Sequence, residues 1–269
     1  YTDSLGNQRK AKTDSKGTFR VGMVKNFSDA LNLRLNVAQG YRVPDIRELF
    51  IQKQTPAGLQ LGAQAVDPRF GKTAYDLKPE SVNSFEVGLS GRKGKINYEI
   101  VGFYNDIDDR IQQVTVDANN DGRDDYFTFK NVSSAKTLGL ETRLGYQITQ
   151  NLDTNFSWTE LDTENKDTGK DLEFNPERIV SARLNWKANN RLNLGLGATH
   201  TGKQFYQQAG ADKHTKAYTL VNVNASYALD SKKKWELFGG VDNIFDEKVE
   251  KRLGSNVGPF VFAGIRGSF

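Results

Sequence analysis

The sequence contains no cysteine, one methionine, two histidines and no long apolar run. Without cysteine, disulfide scaffolds, thiolate zinc sites and cysteine nucleophiles are excluded. No stretch approaches the roughly 18 apolar residues of a membrane-spanning helix, which excludes a helical membrane protein. The 37 basic and 33 acidic residues leave a net charge of +4, and this excess over 269 residues is too small to indicate a nucleic-acid partner.

Apolar and polar residues alternate with period two in many segments, for example at Leu31, Leu33, Leu35 and Val37. This period is typical of strands with one apolar and one polar face. Many of these segments reach ten residues or more, whereas globular strands centre on about five or six and a strand crossing a bilayer needs about nine to eleven. We predict eleven strands, near residues 18–27, 30–40, 80–92, 95–108, 127–148, 151–162, 177–188, 191–202, 217–229, 234–244 and 258–269.

The predicted connections alternate between short turns and long loops. The long loops cover residues 41–79, 109–126, 163–176, 203–216 and 245–257, and residues 1–17 are expected to be the end of another extracellular loop. Outer-membrane barrels have short periplasmic turns at one rim and long extracellular loops at the other. The sequence therefore predicts an all-β transmembrane antiparallel barrel in the lipid of the bacterial outer membrane. A soluble all-β binding module would leave the sorting of loop lengths unexplained.

The phase of the alternation indicates which face meets lipid. The apolar phase near the short turns carries aromatic residues that suit a membrane-interface girdle: Phe27, Tyr98, Tyr146, Trp186, Tyr227 and Trp235. The opposite phase carries charges that suit a wide polar lumen, either wet or plugged: Arg20, Arg34, Glu86, Glu99, Glu141, Arg143, Arg183, Glu236 and Arg266.

An odd number of strands does not make a complete bacterial barrel, because single-chain barrels of this kind have even strand numbers. An open sheet would also leave two unpaired edges in lipid. We therefore expect residues 18–269 to form the C-terminal half of a larger barrel. The N-terminal half would come from a missing segment or a separate chain.

Five short segments, in order, carry a resemblance to a known family. Residues 40–50 (GYRVPDIRELF) are similar to the Phe-Arg-Ala-Pro box and following Glu-Leu-Tyr/Phe of TonB-dependent outer-membrane receptors. Residues 77–88 resemble the family's Asn-Pro-Asn-Leu-Lys-Pro-Glu segment and its next strand. Residues 131–141, residues 241–246 and the terminal Phe269 complete the series. Each segment is short, but their order and spacing make the resemblance specific.

The resemblance implies that the chain supplies the last eleven strands of a 22-stranded barrel occluded by an N-terminal plug. Such receptors import scarce nutrients, most often ferric siderophores or haem, with energy transmitted by TonB. The expected partners are therefore outer-membrane lipid, the N-terminal barrel half with its plug, and TonB through that plug. A ferric siderophore is the expected ligand, with the catecholate type favoured.

Cationic and aromatic residues in two long loops are candidates for ligand contact. Cations beside aromatic rings suit an anionic, aromatic ferric catecholate through charge pairing and cation–π contacts. The alternative is that these residues belong to folded loops whose charges are solvated. The candidates are Arg47, Arg69, Phe70 and Tyr75 in loop 41–79, and Gln204, Phe205, Tyr206 and His214 in loop 203–216.

Haem, cobalamin and oligosaccharides remain alternative nutrients. Haem-specific members of the family usually carry a histidine between the two boxes, yet none lies between Pro44 and Leu77. His200 falls in the apolar phase of its strand and is expected at the outer interface. His214 is then the one candidate axial ligand for haem.

The segment from Asp117 to Asp125 matches the first half of a calcium-binding loop, with oxygen donors at Asp117, Asn119 and Asp121. The position that should carry a bidentate glutamate is Thr128. We therefore expect a polar turn built on Asp-Gly chemistry and no closed calcium cage.

An outer-membrane hydrolase would need a nucleophile, a base and an orienting carboxylate. The two histidines are the available imidazole bases, and neither lies near a recognisable nucleophile motif. The sequence therefore predicts no enzymatic activity and no intrinsic cofactor.

Overall fold

Strands account for almost all regular structure in the computed structural model, which describes residues 16–55, 58–72, 76–131, 134–208, 211–230, 234–250, 253 and 258–268. The predicted loop segment 1–17 lies outside these residues except for its last two, as do Tyr75 and Phe269. In chain order the elements are β1 (Arg20–Ser28), β2 (Leu31–Arg42), α1 (Ile46–Phe50), β3 (Gln52–Thr55), β4 (Gly58–Leu61), β5 (Val66–Asp67), β6 (Gly71–Lys72), β7 (Glu80–Lys93), β8 (Ile96–Asp108), β9 (Ile111–Val116), β10 (Tyr126–Asn131), β11 (Ala135–Thr149), β12 (Leu152–Asn165), β13 (Arg178–Lys187), β14 (Leu192–Thr201), β15 (Phe205–Gln208), β16 (Ala211–His214), β17 (Tyr218–Ala228), β18 (Trp235–Asp242) and β19 (Phe260–Gly267).

One antiparallel sheet contains eleven strands in the order β1-β2-β7-β8-β11-β12-β13-β14-β17-β18-β19. These are the eleven predicted strands, and with one exception their ends lie within three residues of the predicted ends. Their lengths run from 8 to 15 residues. Short turns connect them at one end and long loops at the other, as predicted. No helix in the described part of the chain is long and apolar enough to cross a membrane.

The exception is the predicted strand 127–148. Its first part is β10, which pairs with β9 in a separate sheet, and only β11 joins the eleven-stranded sheet. The prediction was wrong here because both parts alternate with period two, and local alternation does not reveal which partner a strand takes. The long loop that was predicted to end at residue 126 therefore extends to residue 134.

Strand register places the apolar residues on one face of the large sheet. Phe85 pairs with Val37 on one side and Tyr104 on the other, and Tyr104 pairs in turn with Leu138. Phe85 is 49% exposed although it is flanked by apolar residues, so no other part of the described chain covers this face. A broad, uncovered apolar face is what a sheet presents to lipid.

Aromatic residues lie on the apolar face near the short turns, as predicted. Register places Tyr146 opposite Ile96 and Trp186 opposite Leu194, and it aligns Tyr227 and Trp235 with the same apolar rows. Tyr98 shares this face, and its hydroxyl donates a hydrogen bond of 2.8 Å to the Ala30 carbonyl in the neighbouring turn. Phe27 lies at a β-bulge, where the register shifts between Asn26 and Ser28.

Charged side chains line the opposite face. Arg34 lies 2.9 Å from Glu86 and 3.6 Å from Glu99, while Arg143 lies 2.9 Å from Glu99 and 3.1 Å from Glu141. These side chains are partly exposed, so each pair contributes at most about 1 kcal/mol. Their shared position on one face confirms the predicted polar phase.

Glycines on the polar face make room for aromatic rings from neighbouring strands. A Cβ atom at Gly139 would lie 2.2 Å from Cζ of Phe103, and one at Gly264 would lie 2.5 Å from Cζ of Phe238. Neither ring could keep its place beside a larger residue. Glycine at these two positions is therefore a packing requirement.

The two outermost strands, β1 and β19, do not pair with each other. Among the residues described, β1 pairs only with β2 and β19 only with β18. The large sheet is therefore open, with an unpaired edge on each side.

Candidate functional site

The long loops at one end of the large sheet fold into substructures of their own. Strands β3, β4, β10 and β9 form a four-stranded sheet, here called the loop sheet, from the predicted loop 41–79 and from the loop predicted at 109–126, which extends to residue 134. The link between these loops is a parallel contact in which Phe127 pairs with Gln60. Sequence patterns did not reveal this sheet, because its strands are only four to six residues long.

Two apolar clusters hold the loop sheet together. The first contains Leu59, Leu61, Ala65 and Tyr126, with Phe70 and Val116 packed against it. The second contains Ala63, Leu77, Ile111 and Phe129, with Leu49 and Ile51 packed against it. Each cluster combines residues from both loops, so burial of apolar area fixes one loop against the other.

Helix α1 is tied to the large sheet by charge. Asp45 and Glu48 form a capping box, in which the Asp45 carboxylate accepts from the Glu48 N–H and the Glu48 carboxylate accepts from the Asp45 N–H. Arg42, at the end of β2, donates to both oxygens of Glu48 at 2.8 and 3.0 Å. It also donates to Glu80 at 2.7 Å. Arg42 therefore joins α1 to β2 and β7.

Arg47 presents an exposed guanidinium on α1. Among the described residues, the guanidinium makes one hydrogen bond, a long one of 3.5 Å to the side-chain oxygen of Gln60, and no carboxylate pairs with it. Gln60 is itself buried and donates to Gln113 on β9 at 2.7 Å. The positive charge of Arg47 is therefore available to a ligand.

Arg69 has its charge matched by a neighbouring carboxylate. Its guanidinium donates to both oxygens of Asp67, each at 3.0 Å. These bonds hold the pKa of the buried Asp67 carboxyl down at about 2. The guanidinium also lies 5.3 Å from the ring centroid of Phe70, and Phe70 packs on Tyr126 at 5.1 Å. Phe70 thus stabilises the loop sheet, and Arg69 is neutralised in part.

The second group of candidates lies in the hairpin formed by β15 and β16. Gln204, Phe205 and Tyr206 are buried, with 6 to 7% exposure. The ring of Tyr206 stacks on Phe174 at 6.1 Å, and Phe205 meets the imidazole of His214 edge-on at 5.8 Å. The first three side chains therefore pack the hairpin against the loop that follows β12, and only His214 is exposed. Ligand contact by this group stays a prediction.

The segment from Asp117 to Asp125 forms a polar turn closed by its own side chains. Asp117 accepts from the backbone N–H groups of Asp121 and Gly122 at 3.1 and 2.7 Å, and Asn119 accepts from Asp121 at 3.0 Å. Asp125 accepts from the N–H of Ala118 at 2.8 Å. The proposed calcium donors are thus engaged by the backbone, which agrees with the polar turn expected from sequence.

Comparison with known proteins decides the family. Residues 1–244 match the family model described as "TonB dependent receptor-like, beta-barrel". The chain belongs to this family. The TonB-dependent receptor resemblance seen in the sequence is therefore confirmed, together with the barrel fold.

Curated relatives of this TonB-dependent receptor chain include the ferrienterobactin receptor of Escherichia coli, which is 28% identical over 248 residues, 85% of this chain and 32% of the relative. The vitamin B12 transporter BtuB of Photobacterium profundum is 26% identical over 245 residues, 90% of this chain and 36% of the relative. The chain thus spans about a third of the length of these relatives.

A solved structure of the ferric enterobactin receptor of Pseudomonas aeruginosa superposes with a TM-score of 0.70. The superposed region covers 94% of this chain and 40% of the chain in the solved structure, at 20% sequence identity. At that identity the likeness establishes the fold alone. It agrees with the eleven-stranded sheet forming part of a receptor barrel.

Proposed function

We propose that this chain is the barrel part of an outer-membrane receptor that imports a ferric siderophore of the catecholate type. The observation that carries it is the similarity, along 85% of the chain, to a receptor named for ferrienterobactin, together with membership of the TonB-dependent receptor family. The uncovered apolar face of the large sheet supports placement in a membrane. The long-loop end would then face the outside of the cell.

Arg47 is the best-placed candidate for ligand contact. A ferric catecholate is anionic and aromatic, so it gains most from a cation whose charge is not already paired. Arg47 has no ion pair with a described residue, whereas Arg69 is held by Asp67. We therefore give Arg47 the leading role and Arg69 a supporting one. Tyr75 stays a prediction from sequence.

We propose that further strands close the barrel along β1 and β19. Unpaired N–H and C=O groups along two sheet edges would cost several kcal/mol each in lipid, so an open sheet is not stable there. The barrel half expected N-terminal to this one, with its plug and contact to TonB, would complete the transport machinery. Family membership and the partial coverage of the relatives support this assembly.

Cobalamin is the second candidate, because a vitamin B12 transporter matches 90% of the chain. Haem import would need His214 as an axial ligand. Its imidazole packs against Phe205 and lies near two carboxylates, and this arrangement is more typical of a metal-ion site than of a haem site. We propose binding and transport without catalysis, since the relatives are named as receptors and transporters.

Ligand binding by the purified receptor in detergent tests this function. Ferric enterobactin should bind, and Arg47→Ala should weaken binding about tenfold, as expected for the loss of a charge-assisted contact. Arg123→Ala, in the polar turn, is the matched control and should leave affinity unchanged. Binding of cobalamin but of no ferric siderophore would favour the second candidate. An unchanged affinity of Arg47→Ala would remove Arg47 from the site.

A further inference from the structure

Three potential metal ligands meet at the base of the β15–β16 hairpin. A carboxylate oxygen from Asp171, one from Glu177 and a ring nitrogen of His214 all lie within 4.8 Å of one another. Asp171 belongs to the loop between β12 and β13, Glu177 directly precedes β13, and His214 ends β16. Tertiary structure therefore brings together two donors from the loop between β12 and β13 and one donor from the hairpin.

The backbone beside both carboxylates is fixed by hydrogen bonds. Leu172, the residue after Asp171, is buried, and its N–H donates to the hydroxyl of Thr163 at 3.0 Å. The carbonyl of Glu177 accepts from the N–H of Leu161 at 2.8 Å. The backbone positions of Asp171 and Glu177 are therefore defined before an ion binds, which lowers the entropy cost of ordering their carboxylates around it.

His214 is held in the same way. The next residue, Thr215, is buried, and its N–H donates to the carbonyl of Gln204 at 2.9 Å. The ring edge of Phe205 supports the imidazole at a centroid distance of 5.8 Å. The imidazole makes no hydrogen bond with any described residue, so both ring nitrogens are available to a ligand or to water.

The charges around the cluster suit a cation. Glu177 pairs with Lys203 at 3.3 Å, and Asp171 pairs with no basic residue in the described part of the chain. Lys170, which precedes Asp171, pairs with Asp212 at 2.8 Å, and Lys213, which precedes His214, donates to the side-chain oxygen of Gln208 at 3.0 Å. The two carboxylates of the cluster therefore face one paired ammonium group, that of Lys203, which leaves an excess of negative charge.

We propose that Asp171, Glu177 and His214 bind a divalent transition-metal ion of the Zn²⁺ class. An imidazole with two carboxylates suits such ions, whereas Ca²⁺ prefers oxygen ligands alone. Bond lengths of about 2.0–2.1 Å place tetrahedral ligand atoms about 3.3 Å apart, so side-chain rotations that bring the three atoms closer by no more than about 1.5 Å complete the geometry. Water fills the remaining coordination position.

Metal binding would link the hairpin to the loop between β12 and β13. It also competes with Lys203 for Glu177, so the lysine acts as an internal competitor of the metal. The site needs neither a siderophore nor Arg47 and Arg69, the residues that the proposed function places at the siderophore, although His214 is also a ligand-contact candidate from sequence. Its test is therefore independent of the transport function.

Competition against a fluorescent zinc chelator, with the purified receptor in detergent, measures the site. The wild-type protein should take up one equivalent of Zn²⁺, and His214→Ala should weaken its affinity by about tenfold or more. His200→Ala is the matched control, because His200 lies on the apolar face and contacts Thr219 at 2.9 Å. Its affinity should equal that of the wild type.

Two further variants separate metal binding from a general effect on the loops. Asp171→Asn should weaken Zn²⁺ binding, while Lys203→Gln should strengthen it by freeing Glu177, a gain that loss of loop structure would not produce. Far-UV circular dichroism should be unchanged in all variants. Absence of stoichiometric Zn²⁺ binding, equal losses in both histidine variants, or displacement of Zn²⁺ by excess Ca²⁺ would overturn the assignment.

Discussion

Leu61→Ala should open the loop sheet without disturbing the large sheet. Leu61 has no solvent exposure and packs with Leu59, Ala65 and Tyr126. The three carbons removed, at about 0.8 kcal/mol each, give a loss of about 2.4 kcal/mol. A cavity that only partly collapses raises the cost to about 3 kcal/mol. This corresponds to roughly a hundredfold increase in the population of the opened loop sheet.

Hydrogen exchange followed by mass spectrometry measures this effect by segment. Amides of Gly58–Leu61, Ile111–Val116 and Tyr126–Asn131 should exchange roughly a hundredfold faster in the variant. Amides of Ala135–Thr149, in the large sheet, should exchange at the wild-type rate. Their hydrogen bonds lie in a different sheet from the cluster that contains the mutated residue.

Ile46→Ala is the matched control, because Ile46 is an aliphatic residue of the same loop and is 81% exposed. It should leave exchange unchanged. Faster exchange throughout the large sheet would show that the loops and the barrel wall unfold as one unit. Unchanged exchange in the loop sheet would show that the cluster does not hold the two loops together. Either result would refute the reasoning.

Two other predictions concern the large sheet. Gly139→Ala places a Cβ against the ring of Phe103 and should lower the free energy of unfolding by about 1–3 kcal/mol. Gly197→Ala is the control, because its Cβ meets open space and the variant should be as stable as the wild type. Urea unfolding in detergent measures both. Lipid-attached quenchers should strongly quench the fluorescence of Trp158, Trp186 and Trp235, and iodide should quench it little, because all three side chains lie on the apolar face. Stronger quenching by iodide than by the lipid-attached quenchers would contradict the membrane placement.

The strands of the large sheet were predictable because their signal is local. In β7, Phe85, Val87 and Leu89 alternate with polar residues. This alternation is visible in the sequence without knowing which strands pair with β7. The strict alternation of short and long connections then indicated the end of the sheet at which the loops gather. Both features follow from a strand that meets lipid on one face and water on the other.

The candidate site was predictable only in outline. Arg47 and Arg69 look alike in sequence, yet one is free of ion pairs with described residues and the other is matched by Asp67. Phe205 and Tyr206 were expected to contact ligand, and the structure buries both against neighbouring loop residues. Composition indicates that a loop carries cations and rings, but not which of them remain exposed.

The sequence alone determined the all-β class, the positions of ten of the eleven strands of the large sheet, the two faces of that sheet and the family; the start of β11 needed the structure. Tertiary structure decided which loop segments meet: the pairing of Phe127 with Gln60, and the approach of His214 to Asp171 and Glu177. These contacts join residues far apart in the chain, within segments too short to show a period. They depend on which apolar side chains can be buried together once the large sheet has brought the loop ends to one rim.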